Sequence, residues 1–332
     1  MKTIKEVLGR PWVRIAGSLL ILGILLAFLP LHKLAAALRI IPLTVWGLVL
    51  AGFLVTHIVG VAKWRLTLHV CDAQLTFLQA TRCYFAGLFG TLFLPSVVGG
   101  DVVRMGLAFR IERNRAGVVL GSLVDRLLDT TSLAVVAGAG VLLLPGALNA
   151  HHRRAFIELA AVFALAFAGL FTLLIFTPWR KLPFKVRRMS VKIRRAWRSM
   201  ASRPQYVLVS FALGIIIQVS LLALSATIAK ACGLHVAFRI WLLVWPLAKL
   251  LALVPLTLGG LGIREAGLVA LLAPFGVAAT LAVAAGLAWE SIVIGGGLSA
   301  GLISFLIGGS AFARSVFQFE RVRSSEELNS AA

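Results

Sequence analysis

Acidic residues are scarce in this 332-residue chain, which has 12 Asp and Glu against 33 Lys and Arg. Charge of either sign is scarce as well, at 14% of residues, where a typical soluble chain carries about 25%. With 60% of residues apolar and a mean hydropathy of +0.98, that deficit excludes a soluble enzyme and a disordered chain. Cysteine is nearly missing. Cys71, Cys83 and Cys232 are too few and too scattered for a disulfide framework or a metal site, and they read as packed thiols. A nucleophile elbow, a Walker loop, a CxxC pair and an HExxH run are absent too, so the sequence implies no cofactor and lends enzyme chemistry little support. What remains is an all-α polytopic membrane protein.

The net charge of +21 would suggest nucleic acid in a soluble protein. Here the basic residues lie between apolar runs, where the positive-inside rule puts them. The partners this implies are membrane lipids and no nucleic acid. A spanning helix needs about 20 mainly apolar residues. Trp12–Pro30, Pro42–Ala62, Val118–Leu144, Ala155–Thr177, Tyr206–Ala231 and Val277–Ile307 qualify, the last long enough to tilt or to kink at Gly295-Gly296-Gly297. Loop 178–204 carries ten Lys and Arg and no acid; it must be cytoplasmic, as should both termini. Val186, Met189, Ile193, Trp197 and Met200 recur there at helical spacing. That reads as a basic amphipathic helix lying on anionic leaflet lipids.

Two apolar stretches, Phe77–Leu94 and Ile240–Phe275, are interrupted by Pro and Gly. Loop 178–204 reaches the cytoplasm only if Phe77–Leu94 enters and returns, which makes segment 95–116 cytoplasmic too. Ile240–Phe275 must enter and return from the outside. The expected fold is therefore six full spans plus two re-entrant hairpins in one integral membrane domain, 1–332. Its halves are 1–177 and 205–313, joined by the basic helix and followed by a tail, 314–332. The hairpins share a pattern, Pro95-x3-Gly99-Gly100-x3-Arg104 and Pro255-x3-Gly259-Gly260-x3-Arg264. Interrupted helices at matching places in two inverted halves point to a transporter's binding site.

Ionisable groups at membrane depth are costly and need partners. Arg104 and Arg264, each after a Gly-Gly turn at a helix start, read as phosphate ligands, since free N–H groups and a guanidinium fork both favour an anion. Asp101 and Glu265 would orient them or bind an amine. Asp125, Arg126 and Asp129 share one span, with Arg126 and Asp129 spaced to pair, and line the same cavity or fix helix packing. Glu290 reads as a proton-coupling acid or a partner of Lys249, and Gln218 as an interhelical hydrogen bond.

The motifs Leu94-Pro-Ser-Val-Val-Gly-Gly-Asp-Val-Val-Arg104, Asp125-Arg-Leu-Leu-Asp129 and Gly259-Gly-Leu-Gly-Ile-Arg-Glu265 resemble the lysylphosphatidylglycerol synthase transmembrane family over roughly residues 10–310. The resemblance implies a flippase-like protein of the cytoplasmic membrane. Its substrate would be an anionic, aminoacylated or polyprenyl-phosphate-type lipid. The chain ends at Ala332 with no soluble aminoacyl-transfer domain, so it is expected to be a stand-alone member that does not aminoacylate lipid. With no ATP site in the sequence, the drive would be the lipid gradient, the membrane potential or protons. The alternatives are a non-transporting subunit that anchors a lipid-modifying enzyme and, more weakly, a membrane-embedded transferase using Asp101 or Asp125. The oligomeric state is left open, a homodimer included. This topology makes a checkable statement: reporter tags at residues 110 and 190 should both read cytoplasm, and an external signal from either would break it.

Overall fold

The computed structural model describes residues 39–94, 97–143, 154, 158, 202–251 and 262–308. The expected spans Trp12–Pro30 and Ala155–Thr177 (Glu158 apart) lie outside these residues. So do residues 178–201 of the expected basic helix, the tail, and the motif residues Pro95, Pro255, Gly259 and Gly260. The described residues form helices and turns with no strand, in keeping with the all-α expectation.

Among the described residues, eight α-helices occur in two sets of four. The first set is α1 (Leu43–Val70), α2 (Phe77–Gly90), α3 (Val97–Ile111) and α4 (Arg115–Leu142). The second is α5 (Pro204–Ala231), α6 (Phe238–Leu251), α7 (Ile263–Leu272) and α8 (Ala279–Gly308), with a 3₁₀ turn at Ala273–Phe275 after α7. Each set runs long, short, short, long. Three of the helices, α1, α5 and α8, are long and apolar enough by length and composition to cross a membrane. Helix α4 equals α1 in length at 28 residues but carries Asp125, Arg126 and Asp129 near its middle. Large apolar side chains such as Leu48, Leu208 and Leu306 stand exposed, the pattern expected where lipid rather than water is the surrounding solvent.

The two sets match in detail where the first long helix ends. After α1, Cys71 N–H donates to the Thr67 and Leu68 carbonyls, Asp72 N–H to His69, and Ala73 N–H to Leu68. After α5, Cys232 N–H donates to Ile228 and Ala229, Gly233 N–H to Lys230, and Leu234 N–H to Ala229. These are the same four bonds, displaced by the interval from Cys71 to Cys232. The turn requires a positive φ at its second residue, taken by Gly233 at 89° and, in the first set, by Asp72 at 58°. The same interval relates His57 to Gln218, Tyr84 to Trp245 and Asp129 to Glu290.

Helices α1 and α5 pack against each other in opposite directions. The His69 ring, near the end of α1, meets the Tyr206 ring at the start of α5, and Gly52 meets Leu224. The short helices pair within their own set, α2 with α3 and α6 with α7, yet pack on the other set's last helix, α2 on α8 and α6 on α4. Small residues permit this. Gly301 accepts Phe89. Gly140 sits against the Leu242–Leu243 backbone, where Pro246 inside α6 supplies no N–H to the Leu242 carbonyl. Close approach at small residues is the usual basis of helix packing in lipid.

Three boundaries differ from the expectation. Helix α1 runs on past Ala62 to Val70. Helix α2 starts at a capping box of Thr76 and Gln79 and ends at Gly90, and a separate helix, α3, runs over Val97–Ile111 within segment 95–116. Gly99 and Gly100 form no turn. They lie inside α3, where Gly100 and Gly87 let α3 and α2 touch: a Cβ on Gly87 would stand 2.6 Å from the Gly100 carbonyl oxygen. In α8, Gly295-Gly296-Gly297 lies within one continuous helix, where Gly296 receives Phe53 and Gly297 receives Leu92.

Two glycines of α4 give a paired test. Gly138 has nothing within 4 Å of an added Cβ, whereas Gly140 would place one 2.6 Å from the Leu243 nitrogen. Gly138→Ala should leave stability equal or raise it by about 0.5–1 kcal/mol. Gly140→Ala should lower it by about 1–3 kcal/mol. Thermal unfolding midpoints in detergent check this, and equal effects would contradict the packing.

Candidate functional site

Six charged side chains gather where α1, α3 and α4 meet. Lys63 Nζ lies 2.8 Å from Asp125 and 2.6 Å from Asp129. Arg104 bonds the other Asp125 oxygen at 3.0 Å and Asp101 at 3.1 Å. Arg126 pairs with Asp101. Three cations thus meet three anions, and Asp125 links the α1 lysine to the α3 arginine. Lys63, Asp125 and Arg104 are buried. The side chains of Arg126 and Asp129, 38% and 27% accessible, form the open edge of the cluster. The Arg104 guanidinium also sits over the Trp64 and Tyr84 rings, 5.0 and 5.4 Å from their centroids. The Trp64 indole is fixed by donating to Ser122 Oγ at 3.0 Å. A desolvated guanidinium gains about 2 kcal/mol or more from such a face.

A second cluster joins α7 to α8. One nitrogen of Arg264 donates to Glu265 Oε1 at 2.7 Å and to Glu290 Oε2 at 2.6 Å. Glu265 also accepts from Gly262 N–H at 2.6 Å, closing the start of α7. One cation here faces two acids. Lys249 of α6 stands apart from both clusters. Its Nζ donates to Gln218 Oε1 at 2.9 Å, at the middle of α5, and no carboxylate lies within ion-pair distance of it among the described residues. It is within electrostatic reach of Asp129, Arg126 and Lys63, and also of His57. His57 makes a long contact with the Tyr84 hydroxyl at 3.4 Å and stacks edge-on with Phe53.

The sequence reading is corrected at several points. Arg104 and Arg264 are not free phosphate clamps, since each is tied to two acids. Arg126 pairs with Asp101 rather than Asp129, because Lys63 takes Asp129. Glu290 pairs with Arg264 and leaves Lys249 to Gln218, so the Gln218 hydrogen bond across helices is present. The two Arg clusters share no ion pair or hydrogen bond among the described residues. Each stays within its own set of helices; Lys249 hydrogen-bonds within the second set and lies within electrostatic reach of the first cluster. Gly259 and Gly260 lie outside the described residues. Lys63 was missed because the span was closed at Ala62. Val61, Trp64 and Leu68 continue the helical spacing past it, and that was the available signal. The three cysteines are buried, as expected.

Among the described residues no group of His, Cys, Asp and Glu could hold a metal ion. The architecture is that of a membrane protein with a charged interior. A family model for the lysylphosphatidylglycerol synthase TM region matches residues 12–301. The chain belongs to that family. No curated protein and no solved structure matches it. Membership makes this a membrane protein tied to lipid metabolism, and the charged interior of α1, α3, α4, α6, α7 and α8 is its candidate site.

Removing one partner of a buried pair leaves the other charge uncompensated, at a cost of about 3–5 kcal/mol. Asp125→Asn leaves Lys63 with Asp129 alone and Arg104 with Asp101 alone and the cluster one negative charge short, and should destabilise the chain by up to that amount. Adding Lys63→Met should recover part of the loss. Unfolding in mixed micelles measures both, and an Asp125→Asn variant as stable as its parent would show that the cluster does not hold the helices.

Proposed function

We propose that the chain moves an anionic, phosphate-bearing lipid, of the phospholipid or polyprenyl-phosphate type, across the cytoplasmic membrane with its acyl chains left in the bilayer. In this reading the two helix sets are inverted repeats. Pairs α2–α3 and α6–α7 are hairpins dipping in from opposite faces, and both termini are cytoplasmic. The carrying observation is Lys249, a cation beside the middle of a spanning helix, with a neutral amide as its hydrogen-bond partner and, among the described residues, no carboxylate within ion-pair distance. A lipid phosphate supplies the missing counter-charge. Trp245, one turn away on α6, has a buried indole N–H without a partner, a second donor of the kind a phosphate oxygen takes. The paired clusters of Arg104 and Arg264 hold the hairpins and define the charged walls. The antiparallel packing of α1 on α5 supports the inverted arrangement, which is the usual basis for exposing one site to either face in turn.

The test is scrambling of a fluorescent anionic phospholipid by the full chain in liposomes. Lys249→Met should slow it at least tenfold with an unchanged unfolding midpoint, and Lys249→Arg should keep most of the rate. Undiminished scrambling by Lys249→Met would contradict the reading.

A further inference from the structure

We infer that the chain has a second lipid site, at the junction of α5 and α6, which takes a phospholipid headgroup carrying a hydrogen-bond donor beyond its phosphate. It is separate from Lys249 and stands whether or not the chain moves lipid. A cavity of about 570 Å³ opens where α5 ends and α6 begins, and its lining includes Ala223, Ala226, Lys230, His235, Val236 and Trp241. That volume lies in the range of small-molecule sites. Helices α1 and α5 are antiparallel, with His69 against Tyr206, so the cavity is at the end of the bundle opposite the close of α1. The end of a spanning helix is also where a bilayer puts its headgroups.

The repeat explains why this corner is open. In the first set the matching corner is spanned by the protein's own cation: Arg65 of α1 donates from Nε to the Leu75 carbonyl at 2.8 Å. The interval that carries Cys71 to Cys232 carries Arg65 to Ala226 and Leu75 to Val236. Ala226 has no side chain that reaches Val236. The second set therefore keeps the corner and lacks the arginine. Space is left beside a carbonyl at the place where the first set supplies a donor, and a ligand that fills it brings a donor of its own.

The charges select a phosphate for the rest of the ligand. Lys230 lies in the last turn of α5, His235 in the connection that follows, and Arg239 in the first turn of α6. No Asp or Glu occurs between Glu158 and Glu265, so no acid of this stretch competes for these groups. An ammonium and an imidazole N–H both donate to phosphate oxygens, the ammonium with the strength of a charged donor. Ala223, Ala226 and the buried Trp241 give the remaining wall an apolar surface. It suits the glycerol backbone and first methylenes of a lipid and gives a free phosphate ion nothing. With phosphate on Lys230 and His235, the headgroup's amine or hydroxyl takes the Val236 carbonyl. Ethanolamine and glycerol headgroups have that donor; choline has none.

The test is titration calorimetry of short-chain phospholipids with the full chain in detergent. It is run on Lys249→Met, which removes the transport site proposed above, so that failure of one site is not read as failure of the other. Dihexanoyl phosphatidylethanolamine and phosphatidylglycerol should bind. Phosphatidylcholine should bind about fivefold more weakly, the worth of one hydrogen bond. Adding Lys230→Ala should weaken the first two about tenfold, as loss of a charged donor does. Adding Ala226→Leu, which fills the corner without charge, should abolish binding. Both positions face the cavity, so the unfolding midpoints should match the parent. Equal affinity for phosphatidylcholine, binding that survives both substitutions, or inorganic phosphate binding as tightly as the lipids overturns the inference.

Discussion

The cost of placing charge in a medium that cannot solvate it governs this structure. A membrane interior admits an ionised group only when another group of opposite sign is held against it. Asp125 shows how far this reaches. It receives Lys63 from α1 and Arg104 from α3 while belonging to α4, so one carboxylate fixes three helices at one point. Asp101 repeats the device by joining Arg104 to Arg126. The arrangement of α1, α3 and α4 is therefore set as much by pairing as by packing, since lipid offers helices little hydrophobic drive to associate. Where pairing is incomplete, at Lys249 and at the Arg264 group, the structure has a place that still calls for a counter-charge. Of the two, Lys249 carries the functional argument.

Small residues supply the second constraint. Each short hairpin leans on the last helix of the other set, which knits the two sets together and carries Lys249 of the second toward Asp129 of the first. That crossing needs backbone contact, and Gly140 against Leu242–Leu243 and Gly301 against Phe89 provide it. A ring series from His57 through Phe53 and Trp289 to Trp245 fills the space between α1, α8 and α6. His57 and Gln218 occupy equivalent places on the antiparallel pair α1 and α5. One meets a tyrosine hydroxyl and the other a lysine, so equivalent positions carry different chemistry.

Much of this was legible beforehand. Composition gave the membrane class, and the motif runs around Arg104, Asp125–Asp129 and Arg264 gave the family. The charged residues themselves were found because there are so few. Their pairing was not legible, since partners lie on different helices: Asp101 to Arg126 and Lys63 to Asp129 span sequence distances that no local spacing reveals. Gly99-Gly100 looked like a turn because glycine pairs usually break helices. In α3 Gly100 instead serves close contact with Gly87 and Thr91, and Gly99 with Leu94, which a single sequence does not display. Lys63 fell outside its span because a lysine reads as an interface residue until its acids are known.

The account is tested most directly by an electron cryo-microscopy structure of the chain in nanodiscs of anionic phospholipid. It expects lipid phosphate density within hydrogen-bond distance of Lys249 Nζ, with acyl chains leading out to the bilayer. Lipid density confined to the outer apolar faces of α1, α5 and α8, with Lys249 still on Gln218 alone, would contradict it.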